Sequence, residues 1–190
     1  MRKLKLHIRL TLDGFAAGPN GELDWMTQPI DDKMMQYVNA AADASDTLLM
    51  GRKMAEGFTE YWMDIANNHP ESYEFPLAQR MVDIPKVVFT KTLEKSPDNN
   101  TVLAKGNLTE EVAKLKKKEG KDLIVYGGAG FVSSLIGAEL IDEFLLFMDP
   151  VIIGNGMTIF KSVDKWQKLS LEYATPFDCG VTVLCYKPKK

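Results

Sequence analysis

Three short stretches of this chain collect the residue types that hold phosphate. Leu123 to Tyr126 is an apolar run followed by glycines at 127, 128 and 130; Phe131, Val132, Leu135 and Ile136 then recur at helical spacing. A strand that breaks into glycines and re-enters as a helix presents bare backbone N–H groups, which suit a phosphate or pyrophosphate. Glycines also serve simply to make tight turns, so this stretch alone leaves both roles open. Gly51-Arg52 and Thr90-Lys91 add two further strand ends, one pairing a glycine with a guanidinium, the other a hydroxyl with an ammonium. Taken singly, Arg52 and Lys91 read as ordinary surface charges. Ligands of open α/β sheets collect at the carboxyl ends of parallel strands. The three ends together therefore favour a dinucleotide, and the cations favour NADP over NAD.

A competing pattern runs through the same glycines. Gly128-Ala-Gly130-Phe-Val-Ser133 approaches G-x-G-x-x-G/A, with Asp149 roughly twenty residues on. Ser133 replaces the third small residue, and the motif falls too late for the remaining strand–helix units of a Rossmann fold. No P-loop is present.

The elements that must position these residues alternate. Lys3 to Leu12 reads as a first strand, running into an irregular loop, Asp13 to Gly21. Pro29 and Asp31 announce a helix through about Ala44, with Ile30, Met34, Val38 and Ala41 on one face. Thr47 to Met50 is a buried strand before another helix, and Met63 to Pro76 reads as a polar surface excursion. Lys86 to Phe89 is a third strand. Asn107 and Glu110 form a capping-box pattern for a helix that stops at Gly120. Leu123 to Tyr126, a helix to about Leu140, and Glu143 to Met148 follow, with Pro150 closing the last strand. Leu169 to Pro176 and Val181 to Tyr186 read as an antiparallel hairpin. The fold class is α/β: a mixed, mostly parallel sheet with helices on both faces.

Composition narrows the partners. The 190 residues suit a single domain, 1–190, with a core that needs no disulfide or metal. A net charge of −3 argues against nucleic acid as partner. The basic run Lys114 to Lys118 lies among Glu110, Glu111 and Glu119 and reads as a solvated helix face. Cys179 and Cys185 do not form C-x-x-C, and no histidine pair suggests a metal. No apolar run suggests a signal peptide or a membrane span, so a cytoplasmic protein without membrane partners is expected.

In that order, the segments resemble the dihydrofolate reductase-like superfamily. They are most similar to the reductase domain of the bifunctional riboflavin-biosynthesis deaminase-reductase and its free-standing relatives. Leu12-Asp-Gly-Phe-Ala-Ala-Gly18 resembles the family's "LDG-x-A" opening, and Leu23-Asp-Trp25 its tryptophan-bearing loop. Asp46 to Arg52, Val87 to Leu93 and Val125 to Gly130 resemble the cofactor segments; Leu140 to Phe144, Pro150 to Gly156 and Phe160 resemble the last core segments. The resemblance implies a dihydrofolate reductase-like three-layer fold and an NADPH-dependent reductase similar to 5-amino-6-(5-phosphoribosylamino)uracil reductase. It places Gly14, Gly18, Gly51, Arg52, Lys53, Thr90, Lys91, Gly127, Gly128, Ala129, Gly130 and Phe131 with the cofactor, with a strained peptide between the paired glycines. It also implies a homodimer. The deaminase signatures H-x-E and P-C-x-x-C are absent, so the chain corresponds at most to the reductase.

For a small-molecule acceptor, Asp13, Trp25 and Asp32 are the catalytic candidates. Asp13 ends the first strand, where its plain structural role is an Asx-turn before Gly14. Trp25 suits stacking on a flat heterocycle or closing the core. Asp31 and Asp32 also suit the first turn of a helix as dipole-complementing acids. His7 sits mid-strand and reads as structural; His69 falls in the polar excursion. Two other readings stand beside the reductase: a non-catalytic NADP(H)-binding module and a true dihydrofolate reductase.

Overall fold

β1 (Leu4–Thr11) forms the centre of the molecule because both of its faces are covered. Leu4, Leu6, Ile8 and Leu10 are buried on one side; Lys5, His7, Arg9 and Thr11 alternate to the other. The structure, a computed structural model, describes residues 1–27, 30–96 and 98–189. After β1 come β2 (Phe15–Ala17), α1 (Asp32–Asp43), β3 (Ser45–Gly51), α2 (Arg52–Asn68), α3 (Phe75–Asp83), β4 (Lys86–Phe89) and β5 (Thr101–Ala104). The chain continues through α4 (Leu108–Lys117), β6 (Asp122–Val125), α5 (Ala129–Gly137), β7 (Glu143–Asp149), β8 (Met157–Thr158), β9 (Leu169–Pro176) and β10 (Thr182–Pro188).

Eight strands make one sheet in the order β5-β4-β3-β6-β1-β7-β10-β9, and β2 pairs separately with β8. β5 through β7 are mutually parallel, whereas β10 runs antiparallel to both β7 and β9. The chain leaves β1, builds outward through β3, β4 and β5, then returns to insert β6 between β3 and β1. That reversal sets the carboxyl ends of β4, β3, β6 and β1 side by side, the position where open α/β sheets bind ligands.

Side-chain alternation sorts the helices into two outer layers. α4 and α5 bury Val112, Leu115, Val132, Leu135 and Ile136 against Leu4, Leu6, Leu10 and Val125 on one face. The other face carries two separate apolar clusters. α1 contributes Met34 to a group with Leu145, Phe147, Val183 and Cys185. α2 and α3 contribute Ala55 and Met81 to a group with Leu48, Met50, Val88 and Ile124. Loss of one such buried leucine or isoleucine to alanine costs about 2–5 kcal/mol.

Most expected elements are present within a residue or two, and four expectations need correction. The polar excursion is largely helical: 63–68 finish α2, and Phe75 and Pro76 open α3. Proline tolerates that place because its missing N–H would have no helical partner there. β5 was overlooked, a four-residue edge strand whose Val102 is exposed. The loop after β1 holds β2, which finds its partner β8 only across the tertiary fold. The basic run of α4 is not all solvated, because Lys116 is buried with its ammonium against Asp142 (2.5 Å) and the Leu140 carbonyl (2.8 Å). Pro29, expected at the start of α1, lies outside the described residues. Asp31 is the observed N-cap, accepting from the Met34 amide at 2.8 Å.

Candidate cofactor and acceptor site

Two helices begin with glycine at the carboxyl ends of neighbouring strands. Gly51 caps α2 after β3, and Gly128 caps α5 after β6; neither helix receives a side-chain cap. The first-turn amides of a helix have no intrahelical acceptor, so each N-terminus carries partial positive charge and donors. The two ends lie against each other. A Cβ at Gly51 would sit 2.9 Å from the Phe131 Cβ, and Gly128 lies near Met54 of α2. Gly128 adopts φ +80°, a left-handed conformation that turns the chain from β6 into α5. The Gly127–Gly128 peptide is trans.

The third end sits one strand further out. Thr90 follows β4, and its hydroxyl oxygen accepts the Thr92 and Leu93 amides at 3.1 and 3.0 Å, forming a buried turn. Lys91 is exposed beside it, and the Phe89 and Phe131 rings meet at 5.1 Å. Lys53 is exposed in the first turn of α2, and Arg52 is half-buried there. Ala129 and Gly130 form the first turn of α5. The sheet order thus aligns the three ends on adjacent strands β4, β3 and β6.

At the end of β1, Asp13 works as a latch. Its carboxylate accepts the Gly154 amide at 2.7 Å and the Ile153 amide at 3.4 Å, tying this turn to the loop after β7. The Thr11 side chain first, and then these amides, hold the exposed carboxyl below the usual carboxylate range. Gly14 takes φ +85° in that turn, and Gly18 is buried where its amide meets the Glu22 carbonyl at 2.8 Å. Trp25 is buried, and its indole N–H has no partner among the described residues. Asp32 is the exposed first residue of α1. Asp31 bonds the Cys179 amide at 2.9 Å as well as capping α1, so it fixes the helix to the β9–β10 turn. The Met34 amide first, then the Cys179 amide, lowers its pKa.

The Rossmann alternative fails on Asp149. That carboxylate is 1% exposed and grips Arg9 in a two-pronged ion pair, with one contact at 2.9 Å. It has no freedom to meet a ribose.

The second face of β1 holds groups that sequence reading assigned no chemistry. His7 is 4% exposed, its ring 4.4 Å from Phe147 and 5.3 Å from Tyr126. Both imidazole nitrogens and the Tyr126 hydroxyl are buried with no partner among the described residues. Burial pushes the His7 pKa down to about 3 and raises the Tyr126 phenol above its ordinary range. The available signal was the alternation of β1, which sets Lys5, His7, Arg9 and Thr11 on one face.

A sheet reversed about β6, helix N-termini at its carboxyl edge and an antiparallel end hairpin define a dihydrofolate reductase-like α/β protein. Residues 2–183 match the RibD C-terminal domain, and the chain belongs to that family. It is 35% identical over 185 residues to the uncharacterized protein YyaP of Bacillus subtilis, covering 97% of this chain and 94% of that one. Among solved structures, a Shewanella sp. PV-4 protein provisionally assigned to riboflavin biosynthesis superposes with a TM-score of 0.77, 21% identity and 99% of each chain covered. A diaminohydroxyphosphoribosylaminopyrimidine deaminase/5-amino-6-(5-phosphoribosylamino)uracil reductase of Thermotoga maritima gives 0.70 at 17% identity, over 99% of this chain and 57% of that one. Dihydrofolate reductase from Enterococcus faecalis, complexed with NADP(H) and RAB-propyl, gives 0.65 at 16% identity, over 99% and 97%. At these identities the structural likeness establishes the fold.

Proposed function

We propose that this chain, acting as one reductase unit, transfers hydride from NADPH to a small planar heterocyclic or carbonyl substrate, in the manner of 5-amino-6-(5-phosphoribosylamino)uracil reductase. The observation that carries this reading is the pair of touching, glycine-capped helix N-termini at the ends of β3 and β6. Gly51, Arg52, Lys53, Gly127, Gly128, Ala129, Gly130 and Phe131 would hold the pyrophosphate and nicotinamide portions. Thr90 and Lys91 would face the adenosine end with its extra phosphate. Gly14 and Gly18 would border the cofactor from the β1–β2 side. When bound, NADPH supplies the hydride. The chain's own part is to orient the acceptor, exclude water and manage a proton. Asp13 holds the β1–β2 turn and the 153–154 loop together at the rim; Trp25 and Asp32 border the acceptor from the loop and α1.

The direct test is to follow NADPH absorbance with pterins, pyrimidine ribosides and quinones as acceptors. Turnover on at least one supports the reductase. Tight NADPH binding without any turnover replaces it with a non-catalytic binding module.

Cofactor preference provides the first quantitative prediction. A charge-assisted phosphate hydrogen bond contributes about 1.5–3 kcal/mol. Lys91→Ala should therefore weaken NADPH by roughly ten- to a hundred-fold with little change for NADH, and Arg52→Ala, at the shared phosphates, should weaken both cofactors by a similar factor. Titration of both cofactors decides it, and equal wild-type affinities for NADPH and NADH would sink the assignment.

A homodimer is also proposed. β7 and the tail strand β10 are internal, and of the two sheet edges, β5 and β9, β9 is the longer. β9 exposes Leu171 and Tyr173, following the almost fully exposed Trp166. An apolar, unpaired edge invites a covering strand, and a twofold copy is a common cover. Light scattering at micromolar concentration should give twice the 21.3 kDa chain mass. Lys substituted at Leu171 and Tyr173 should return the monomer mass; a wild-type mass of one chain at every concentration would refute the dimer.

A further inference from the structure

The carboxyl edge of the sheet is divided by charge. Its β4–β3 half carries Lys91, Arg52 and Lys53. Three segments build the other half: the chain from the end of β1 to α1, the loop after β7 and the β9–β10 turn. Asp13 joins the first two, accepting the Ile153 and Gly154 amides. Asp31 joins the first to the third through the Cys179 amide, and the pairing of Thr182 with Met148 sets that turn at the carboxyl end of β7. Trp25 and Asp32, proposed above to border the acceptor, belong to the first segment. Residues 10–32, 149–160 and 177–181 contain no lysine or arginine, whereas 10–32 alone contains Asp13, Glu22, Asp24, Asp31 and Asp32. The two flanking cations are already paired, Arg9 with Asp149 and Lys33 with Asp178. Asp13 and Asp31 are held by backbone amides, which keep a carboxylate ionised without cancelling its charge. The same segments are apolar where they meet solvent. Leu12 is 61% and Ile152 69% exposed, at two chain ends joined by the bond from the Leu12 amide to the Val151 carbonyl (2.8 Å).

We infer that the acceptor is an uncharged molecule with an apolar body, and that this half of the edge rejects phosphorylated acceptors. This deepens the reductase reading and rests on it. The substrate in the name of the Thermotoga maritima relative carries a phosphoribosyl group; the segments around β1, β7 and β10 offer such a phosphate only carboxylates. Arg52 and Lys53 start two strands away from β1, about 10 Å across the sheet. Like charges brought together suppress the wrong partner. The repulsion needs no particular pose, because charges act over about 8 Å at physiological ionic strength. Leu12 and Ile152 supply the attraction: exposed apolar side chains grouped at a rim favour an apolar body. The two halves thus divide the work, the cationic one suiting the cofactor phosphates and the acidic one selecting an acceptor without any.

Two matched pairs of probes test the inference: methyl 4-formylbenzoate against 4-formylbenzoate, and riboflavin against riboflavin 5′-phosphate. Each pair shares one planar body and differs by an anionic group. Calorimetric titration into NADP+-saturated protein reads binding without turnover, and cofactor-free protein is titrated alongside. The uncharged member of each pair should bind about tenfold more tightly or better, and high salt should narrow the gap. Ile152→Lys, at a side chain open to solvent, sets a cation among the carboxylates. It should weaken the ester and strengthen the carboxylate, closing the gap by about fivefold or more. Val102→Lys, at an exposed position on the β5 edge, should change neither. Equal or tighter binding of the anionic members, no binding of the uncharged ones, an unaltered gap in Ile152→Lys, or an equal change in Val102→Lys would overturn the inference. Failure of NADP+ to bind would fell the reductase reading separately, since the cofactor-free titrations still report the charge preference.

Discussion

Gly128→Ala is expected to abolish measurable NADPH binding in a protein that remains folded. Gly128 stands at φ +80°, where an alanine costs about 1–2 kcal/mol. For a chain of this size that corresponds to a fall in Tm of roughly 2–8 °C. Within the protein the new methyl group meets no clash, its nearest neighbours being the Met54 Cβ at 3.7 Å and the Phe131 Cβ at 3.9 Å. Any loss of cofactor affinity beyond the modest loss of stability therefore reports on a ligand that occupies the space beside Gly128. Gly51→Ala is the contrasting variant: its Cβ would press on Phe131 at 2.9 Å, so the two helix starts must move apart and stability falls along with binding. Calorimetric titration and thermal unfolding of both variants separate the effects. Full NADPH affinity in folded Gly128→Ala would remove the glycine turn from the cofactor site.

The second large effect is on acid stability. His7 has a folded-state pKa of about 3 against an ordinary value of 6.5. Between those values the unfolded chain binds a proton that the native protein refuses, so stability is complete above about pH 6.5 and falls as the pH drops toward 3. Each pH unit inside that window costs at most about 1.4 kcal/mol. Asp13, Glu22, Asp31 and Asp122 have lowered pKa values, so their contributions are lost only as the pH falls below the ordinary carboxylate value of about 4. The interval from about pH 6.5 to about pH 4.5 thus belongs mainly to His7, and roughly 2–3 kcal/mol should disappear across it. Denaturant unfolding at both ends of the interval should show this loss in the wild type and its absence in His7→Leu. Equal losses in the two proteins would mean that the imidazole protonates without opening the structure.

The three strand ends proposed to hold the cofactor were legible for a physical reason. Each is local: an apolar run stops at a glycine or threonine, a cation or further glycines follow, and a helix begins within a few residues. Gly51-Arg52, Thr90-Lys91 and Gly127 to Gly130 all carry that signature, and β3, β4 and β6 end beside them. Asn107 is equally local, its side chain accepting the Thr109 and Glu110 amides at the start of α4. Elements whose stability comes from distant partners were missed. β2 and β8 are too short to announce themselves and exist through mutual pairing. The polar 63–74 stretch concealed the end of α2 because an amphipathic helix with a wide solvent face looks like loop when read residue by residue.

By itself, the sequence determined the α/β alternation, the positions of the glycine turns, the capping of α1 and α4 and the hairpin at the end, since each follows from local backbone preference and hydrophobic period. Only the tertiary structure decided that β6 lies between β1 and β3, that Gly51 rests against Phe131, and that β5 and β9 are the sheet edges. It also decided the setting of His7. One imidazole in a strand says nothing of its partners, because Tyr126 and Phe147 lie more than a hundred residues away in sequence. Pairing across such distances is selected by burial over the whole sheet, and no local pattern of residues encodes it.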